Sequence, residues 1–269
     1  LDIGGTTTDI SFLADGVPLL EPLGIKIGEF PTLVRSLYSV SIGVGGDSSV
    51  CVKNNKIVIG PKRLGRPQAF DGPCPTPTDA MIVLGLISCG NKSKALSAMK
   101  EIGEQLNLCP EAAASAILDT MAEMIKNKAE ELLHEINSHP VYTVKELLYG
   151  KKIKPGLIQV IGGPAKAMAP ILEKSFGIPC RYPKVYEAAN AVGAALARTT
   201  AEITMFIDTA QRTLAVPEMG LYEKISKDYT LEEARLKAID LLKQQSSLLG
   251  AEKGEIQAEI VEENSFNIV

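Results

Sequence analysis

The chain opens "LDIGGTTTDI", Leu1 to Ile10: an acid between apolar residues, a glycine pair, three threonines, a second acid and an isoleucine. This is poor helix material, because adjacent glycines lose the most backbone entropy and threonine is stiff at its first side-chain torsion. The pattern predicts two short strands, residues 1–3 and 9–13, on either side of a turn. An ordinary hairpin turn needs one or two residues tolerant of positive φ but has no use for three consecutive hydroxyls. Glycines let the backbone approach an anion closely, and threonine hydroxyls beside exposed amides add donors for phosphate oxygens. Gly4, Gly5, Thr6, Thr7 and Thr8 are therefore candidates for phosphate oxygens, the alternative being a plain hairpin corner. Asp2 and Asp9 bracket them and suit Mg²⁺, directly or through water.

The same arrangement recurs twice. Gly45 and Gly46 follow the apolar run 42–44, and Gly162 and Gly163, with Pro164, follow the run 158–161. Either turn is open to two readings, a ligand contact or a plain corner between elements. Around them the chain predicts a meander of five short strands in the first sixty residues, with hairpin tips at Asp15-Gly16 and Asn54-Asn55. A proline-rich and glycine-rich segment, 65–77, leads into "TPTDAMIVLGLI", a helix start in which Thr76 or Thr78 caps and Asp79 complements the dipole. Asp79 is also a candidate general base or metal ligand if it faces a cleft. Helices are expected over 94–104 and 110–137, the latter with an apolar stripe at three- and four-residue intervals. "GLIQVIGGPAKAMAPILEKSFGIPCRYP" switches from strand to turn to helix to strand, the signature of parallel pairing. Residues 185–198 predict an alanine-rich helix suited to lie close against a sheet or a nucleotide. Strands at 203–207 and 212–216, a helix at 231–249 and an edge-like strand at the tail complete the expected elements.

Composition narrows the partners. A net charge of −4 with lysines and glutamates intermixed leaves no basic patch for nucleic acid, and aromatics are only 5%. No apolar run reaches the length of a membrane span and the first residues are too polar for a signal peptide, so a cytoplasmic location without membrane contact is expected. The five cysteines are an odd, scattered set without a C-x-x-C pair, which argues against zinc and disulfides. His134 and His139 stand five apart, off helical ligand spacing. Cys74, without a histidine nearby, reads as an incidental thiol rather than a nucleophile.

"D-x-G-G-T-x-T-D" resembles the phosphate-binding hairpin of the actin, Hsp70 and sugar-kinase superfamily, and "IGGPAKAMAP" resembles that superfamily's adenosine motif. The finer resemblance is to the hydantoinase/oxoprolinase family, through "DIGGTTTD", "SIGVGGDSSV", "GPKRLGRPQAFDGPCPTPTDA" and "GAALARTT" in family order over roughly residues 1 to 200. One departure is Asp47, which stands where the family's turn has a small residue. The resemblance implies an α/β, RNase H-like mixed sheet flanked by helices, with a helical insertion at about 78–150 in a domain spanning 1–200. Residues 201–269 would then pack as strands and a helix on that same domain.

It further implies ATP with Mg²⁺, held by Asp2 and the first turn. Adenosine would lie along Gly162, Gly163 and Pro164, the Gly45-Gly46 turn would contribute to the site, and Asp9 and Asp79 would be candidates for chemistry. The implied activity is ATP-dependent hydrolysis of a cyclic amide such as 5-oxoproline or a hydantoin, the phosphoryl group activating the lactam carbonyl. Family members carry a further N-terminal domain, and this chain begins at Leu1 with one residue before Asp2. The expectation is a fragment lacking that domain and inactive in isolation, with the absent domain and a hydantoinase B-type subunit as partners and self-association compatible. Two other readings stay open: a sugar-kinase-like or activator ATPase, and a non-catalytic nucleotide-binding or assembly module.

Overall fold

In the computed structural model, which describes residues 1–14, 16–19, 26–27, 30–32, 36–138, 152–197, 200–251 and 256–266, the opening segment is a tight hairpin. Asp2–Ile3 (β1) and Thr8–Ser11 (β2) pair antiparallel, with Asp2 opposite Asp9 and Ile3 opposite Thr8. β2 buries Thr8 and Ile10 and exposes Asp9 and Ser11, the period of a strand with one covered face. Two small hairpins follow, Leu13–Ala14 (β3) with Val17–Pro18 (β4) and Lys26–Ile27 (β5) with Phe30–Pro31 (β6). Asp15 of the first expected tip lies outside the described residues. Ser39–Ile42 (β7) then returns antiparallel to the free edge of β2.

The first sixty residues do not form the single meander that their strand runs suggest. Val50–Lys53 (β8) and Lys56–Ile59 (β9) make a separate hairpin, because the turn at Gly43 to Gly46 steers the chain away from β7. Its tip is as expected: Asn54 and Asn55 take φ of 50° and 60°, the mirror-image turn that matches strand twist.

The chain returns to β1 more than 150 residues later. Ile158–Gln159 (β10) pairs parallel with Cys180–Arg181 (β11). The residues just beyond β10 bond to β1: Ile3 donates to Ile161 O and Ile161 donates to Leu1 O, both at 2.9 Å. The strands therefore follow in the order β7, β2, β1, β10, β11, antiparallel through β1 and parallel from the Asp2–Ile161 bridge onward.

Among the described residues, three helices lie in the long interval. Pro77–Val83 (α1) starts with a capping box in which Thr76 and Asp79 satisfy each other's amides. Lys92–Leu106 (α2) is capped by Asn91, whose side chain accepts from Ser93 and Lys94. Pro110–Ser138 (α3) buries Ala113, Ile117, Met121, Ile125 and Leu132 along one stripe. Ala165–Phe176 (α4) supplies the crossover between β10 and β11 and buries Met168 and Leu172. These side chains join Ile3, Ile10 and Met81 in one core. At about 1.5–3 kcal/mol for each large apolar side chain removed from water, that core outweighs any single polar contact in setting the fold.

The alanine-rich segment departs from expectation. It is a short 3₁₀ turn, Tyr186–Ala188, followed by Ala189–Leu196 (α5), and neither element buries a side chain fully. The chain divides into two units at Gly193/Ala194.

In the second unit, Phe206–Asp208 (β12), Thr213–Val216 (β13) and Leu221–Lys224 (β14) form an antiparallel sheet. Only 206–207 of the expected strand at 203–207 is paired, as part of β12: Ile203 and Met205 pack on the Leu214, Val216, Leu241 core without a ladder, so their alternation reports burial and not pairing. β14 has no counterpart among the expected strands: it is only four residues long and two of them, Glu223 and Lys224, are poor strand formers. Leu231–Leu248 (α6) has the expected Thr230 and Glu233 capping box. Among the described residues 256–266 there is no strand, so the edge-like tail is not one; Glu263 instead takes two hydrogen bonds from Arg235. No helix of the described residues is long and apolar enough to cross a membrane.

Candidate functional site

Three glycine turns far apart in sequence meet at the end of β1. Gly4 donates to Thr7 O at 2.9 Å and closes the first turn. The second turn lies directly on it, Gly46 donating to Gly4 O at 2.9 Å and Asp47 to Gly5 O at 2.7 Å. A Cβ on Gly45 would stand 2.6 Å from Gly5 C and 2.7 Å from Gly4 O, so only glycine admits this approach. The third turn crosses β1: Gly162 has φ +93°, and a Cβ there would lie 2.2 Å from Ile3 O and 2.9 Å from Asp2 Oδ1. The N-terminus of α1 joins from behind, Thr78 donating to Gly46 O from both its amide and its hydroxyl at 2.8 Å.

This packing separates the candidate residues into two roles. Among the described residues, the amides of Gly5, Thr6 and Thr7 have no protein acceptor, and Thr6 is exposed. They form a run of three successive donors without protein acceptors, and backbone N–H groups in succession can bind anions. Thr8 does not belong with them. It is fully buried and its hydroxyl donates to Val44 O at 2.7 Å, which ties β2 to the second turn.

Gly45 and Gly46 also fall outside the donor set. Gly45 donates to Ser48 Oγ at 2.8 Å and Gly46 to Gly4 O, and both are buried. Their work is to let backbone pack on backbone, a need that glycine meets as it meets close approach to an anion. Gly163 is exposed, with Pro164 half-buried at the start of α4.

The acids divide likewise. Asp2 is half-buried and its Oδ2 accepts from Asn190 Nδ2 at 2.6 Å, while Oδ1 borders Gly162. Asp9 is exposed and accepts a hydrogen bond from the Ser41 hydroxyl of the neighbouring β7. Asp79 is fully buried and both its oxygens are occupied. Oδ1 accepts from Ala69 N at 2.7 Å; Oδ2 accepts from Gln68 N at 3.1 Å, Thr76 N at 2.9 Å and Thr76 Oγ1 at 2.8 Å. A carboxyl closed off from solvent and holding four donors is committed to the start of this helix, so the geometry favours capping over base chemistry.

Cys74 lacks the electropositive surroundings of a nucleophile: burial and the nearby Asp79 push its thiol above the ordinary range. Cys180 is pushed up to about 11 by burial, with Glu173 adding to it. At pH 8 a thiol-alkylating reagent is expected to label exposed Cys51, Cys89 and Cys109 readily. It should modify Cys180 on the order of a hundredfold more slowly than an ordinary thiol, as peptide mass mapping would reveal.

Three further residues belong to the site. Arg63 donates from one terminal nitrogen to Asp47 Oδ2 at 2.7 Å and from the other to Thr6 Oγ1 at 3.3 Å. Asn190 steadies Asp2, and Thr78 holds the second turn. Nothing local marks Arg63 or Asn190 in the sequence, since each reaches its partner across 57 or 188 residues. For Asp47 the signal was its departure from a small residue.

The family model described as hydantoinase/oxoprolinase matches residues 1–203. No curated protein matches the chain. Among solved structures, a nucleotide-free acetone carboxylase, from work on ATP-dependent acetone carboxylation, is similar with a TM-score of 0.62 at 17% identity, over 94% of this chain and 36% of that one. An ATP-dependent caprolactamase from Pseudomonas jessenii is similar with a TM-score of 0.57 at 19% identity, over 92% of this chain and 34% of that one. The chain thus spans about a third of the length of either structure.

Proposed function

This chain belongs to the hydantoinase/oxoprolinase family, and on that premise we propose that it is the nucleotide-binding part of an enzyme that uses ATP to open a cyclic amide. The observation that carries this reading is the run of unaccepted amides at Gly5, Thr6 and Thr7, backed by two other glycine turns that lock its shape. The strand order β7, β2, β1, β10, β11, with its change from antiparallel to parallel at β1, supports an RNase H-like domain of the actin superfamily over residues 1–200. In that reading Gly162, Gly163 and Pro164 border adenosine, and the first turn takes the phosphates.

Mg²⁺ fits Asp2. The cation prefers one or two carboxylates together with water and phosphate oxygens, and Asp2 Oδ1 has no donor among the described residues. No cluster of three or more acidic, histidine or cysteine side chains stands ready there among the described residues, so nucleotide oxygens and water would complete the shell. The cation would neutralise charge on the phosphates. Asp9, tied to Ser41, fastens β2 to β7, and Asp79 acts as a positioning residue.

The chemistry follows from the weakness of an unstrained lactam as an electrophile. Moving the γ-phosphoryl group to the carbonyl oxygen breaks the bond to ADP and forms an activated imidate. Water then adds at carbon, the ring C–N bond breaks to leave an amine and an acyl phosphate, and a second water releases the phosphate from that acyl group. Such transfer relies on positioning and charge neutralisation, which amides, hydroxyls and a bound cation supply. Similarity to an ATP-dependent caprolactamase supports the cyclic-amide class, with 5-oxoproline and hydantoins as the substrates to try first.

Calorimetric titration of the chain with ATP and Mg²⁺ tests the nucleotide reading. Thr6→Ala combined with Thr7→Ala should weaken binding by about tenfold while leaving the melting temperature in place, since neither hydroxyl is buried. In a preparation containing the chain's co-purifying partners, ADP release should rise on adding 5-oxoproline or a hydantoin. Nucleotide binding without any such rise would remove the substrate reading and keep the nucleotide one.

A further inference from the structure

We propose that Arg63 is the clamp for the terminal phosphate of this site and that Asp47 is its fixed counter-ion, a reading that rests on the ATP-binding reading above. The Arg63 guanidinium is held at three points: Nε donates to Gly65 O at 3.3 Å, one terminal nitrogen to Thr6 Oγ1 at 3.3 Å and the other to Asp47 Oδ2 at 2.7 Å. A guanidinium has five N–H groups, so two remain, one on each terminal nitrogen, in the fork that suits phosphate oxygens. Thr6 serves Arg63 as an acceptor and therefore keeps its own hydroxyl hydrogen for an anion.

Stability alone gives no reason for this arrangement. The Arg63 and Asp47 side chains are 43% and 19% exposed, and ion pairs this open contribute little to folding. Asp47, in contrast, cannot follow Arg63 elsewhere. Its amide donates to Gly5 O at 2.7 Å, and its Oδ1 lies 3.3 Å from Thr78 Oγ1, whose one hydrogen is shared with the nearer Gly46 O. Its Oδ2 lies 2.9 Å from where a Cβ on Gly5 would be, flat against the donor turn. A bare carboxylate there would repel phosphate; with Arg63 on it the local charge is cancelled and two donors are offered. Arg63 meets the turn at its tip, through Thr6, and not at the Gly162 side where adenosine is proposed. The terminal phosphate is the one within its reach.

The test uses the 269-residue chain and three probes: ATP with Mg²⁺, ADP with Mg²⁺, and inorganic tripolyphosphate. Arg63→Ala should weaken ATP and tripolyphosphate roughly tenfold to a hundredfold, change ADP far less and leave the melting temperature in place. Arg63→Lys should fall between, having the charge without the fork. Adding Asp47→Asn to Arg63→Ala should restore part of the lost affinity, because the carboxylate left bare is then neutral. Equal binding by wild type and Arg63→Ala, or equal losses for ATP and ADP, overturns the clamp and leaves the ATP reading standing. Arg63-dependent binding of tripolyphosphate without binding of ATP does the reverse. A wild-type chain that binds none of the three overturns both.

Discussion

Asp79→Ala is expected to destabilise the chain by about 3–5 kcal/mol, because it strips the acceptor from four donors in a site closed to water. The donors are the amides of Gln68, Ala69 and Thr76 and the Thr76 hydroxyl, and the residue is fully buried. In a chain of this size such a loss lowers the melting temperature by roughly 10 °C or more, which thermal denaturation would register. Asp79→Asn should cost less but not nothing, since an amide offers one acceptor oxygen and points a donor at other donors. The measurement also separates the two roles that an acid in this helix turn can have. A base or metal ligand with no structural duty would leave the melting temperature of Asp79→Asn near wild type, and that result would return Asp79 to the chemistry. The consequence of losing it extends to the donor turn: Asp79 fixes the start of α1, Thr78 on that start holds Gly46 O, and Gly46 holds Gly4 O.

Gly162→Ala is the second large effect. The residue sits at φ +93°, where a side chain is strained, and its Cβ would stand 2.2 Å from Ile3 O. Ile3 O belongs to backbone that is paired on both sides, to Thr8 in β2 and to Ile161 beside β10, and it cannot withdraw without opening the sheet. A loss of about 3 kcal/mol or more is expected, with weaker ATP binding in whatever folded protein remains. Gly163→Ala is the control: nothing lies within 4 Å of its Cβ, and its melting temperature should stay close to wild type. If Gly162→Ala melts with the control, the close crossing of this turn over β1 is not present in solution.

These effects show which parts of the site were readable in advance. The strand, turn and strand around Gly4 and Gly5 are written in local preferences. So are the capping boxes at Thr76 and Thr230 and the crossover from β10 to β11 through α4, because caps and periodicity act over a few residues. Thr8 was readable in part: if Asp9 faces solvent, the alternation of β2 turns Thr8 inward with Ile10. The uniform run of three threonines hid this, since hydroxyls look alike whether they serve a ligand or a neighbouring carbonyl. The glycine pairs posed the same ambiguity. Close approach to an anion and close approach to another backbone both require the absence of a Cβ, and only contacts distinguish them.

What the sequence by itself determined is the kind of material at each turn: bendable backbone, hydroxyl donors and acids at the end of a short strand. The tertiary structure decided which of those groups remain unspent. Gly46 and Thr8 are consumed in holding the first turn, Gly5 to Thr7 keep their amides, and Arg63 arrives from 57 positions away to share Thr6. The physical reason is that a hydrogen bond uses up its donor wherever the partner lies along the chain. Availability for a ligand is therefore a property of the packed molecule and not of any ten residues in it.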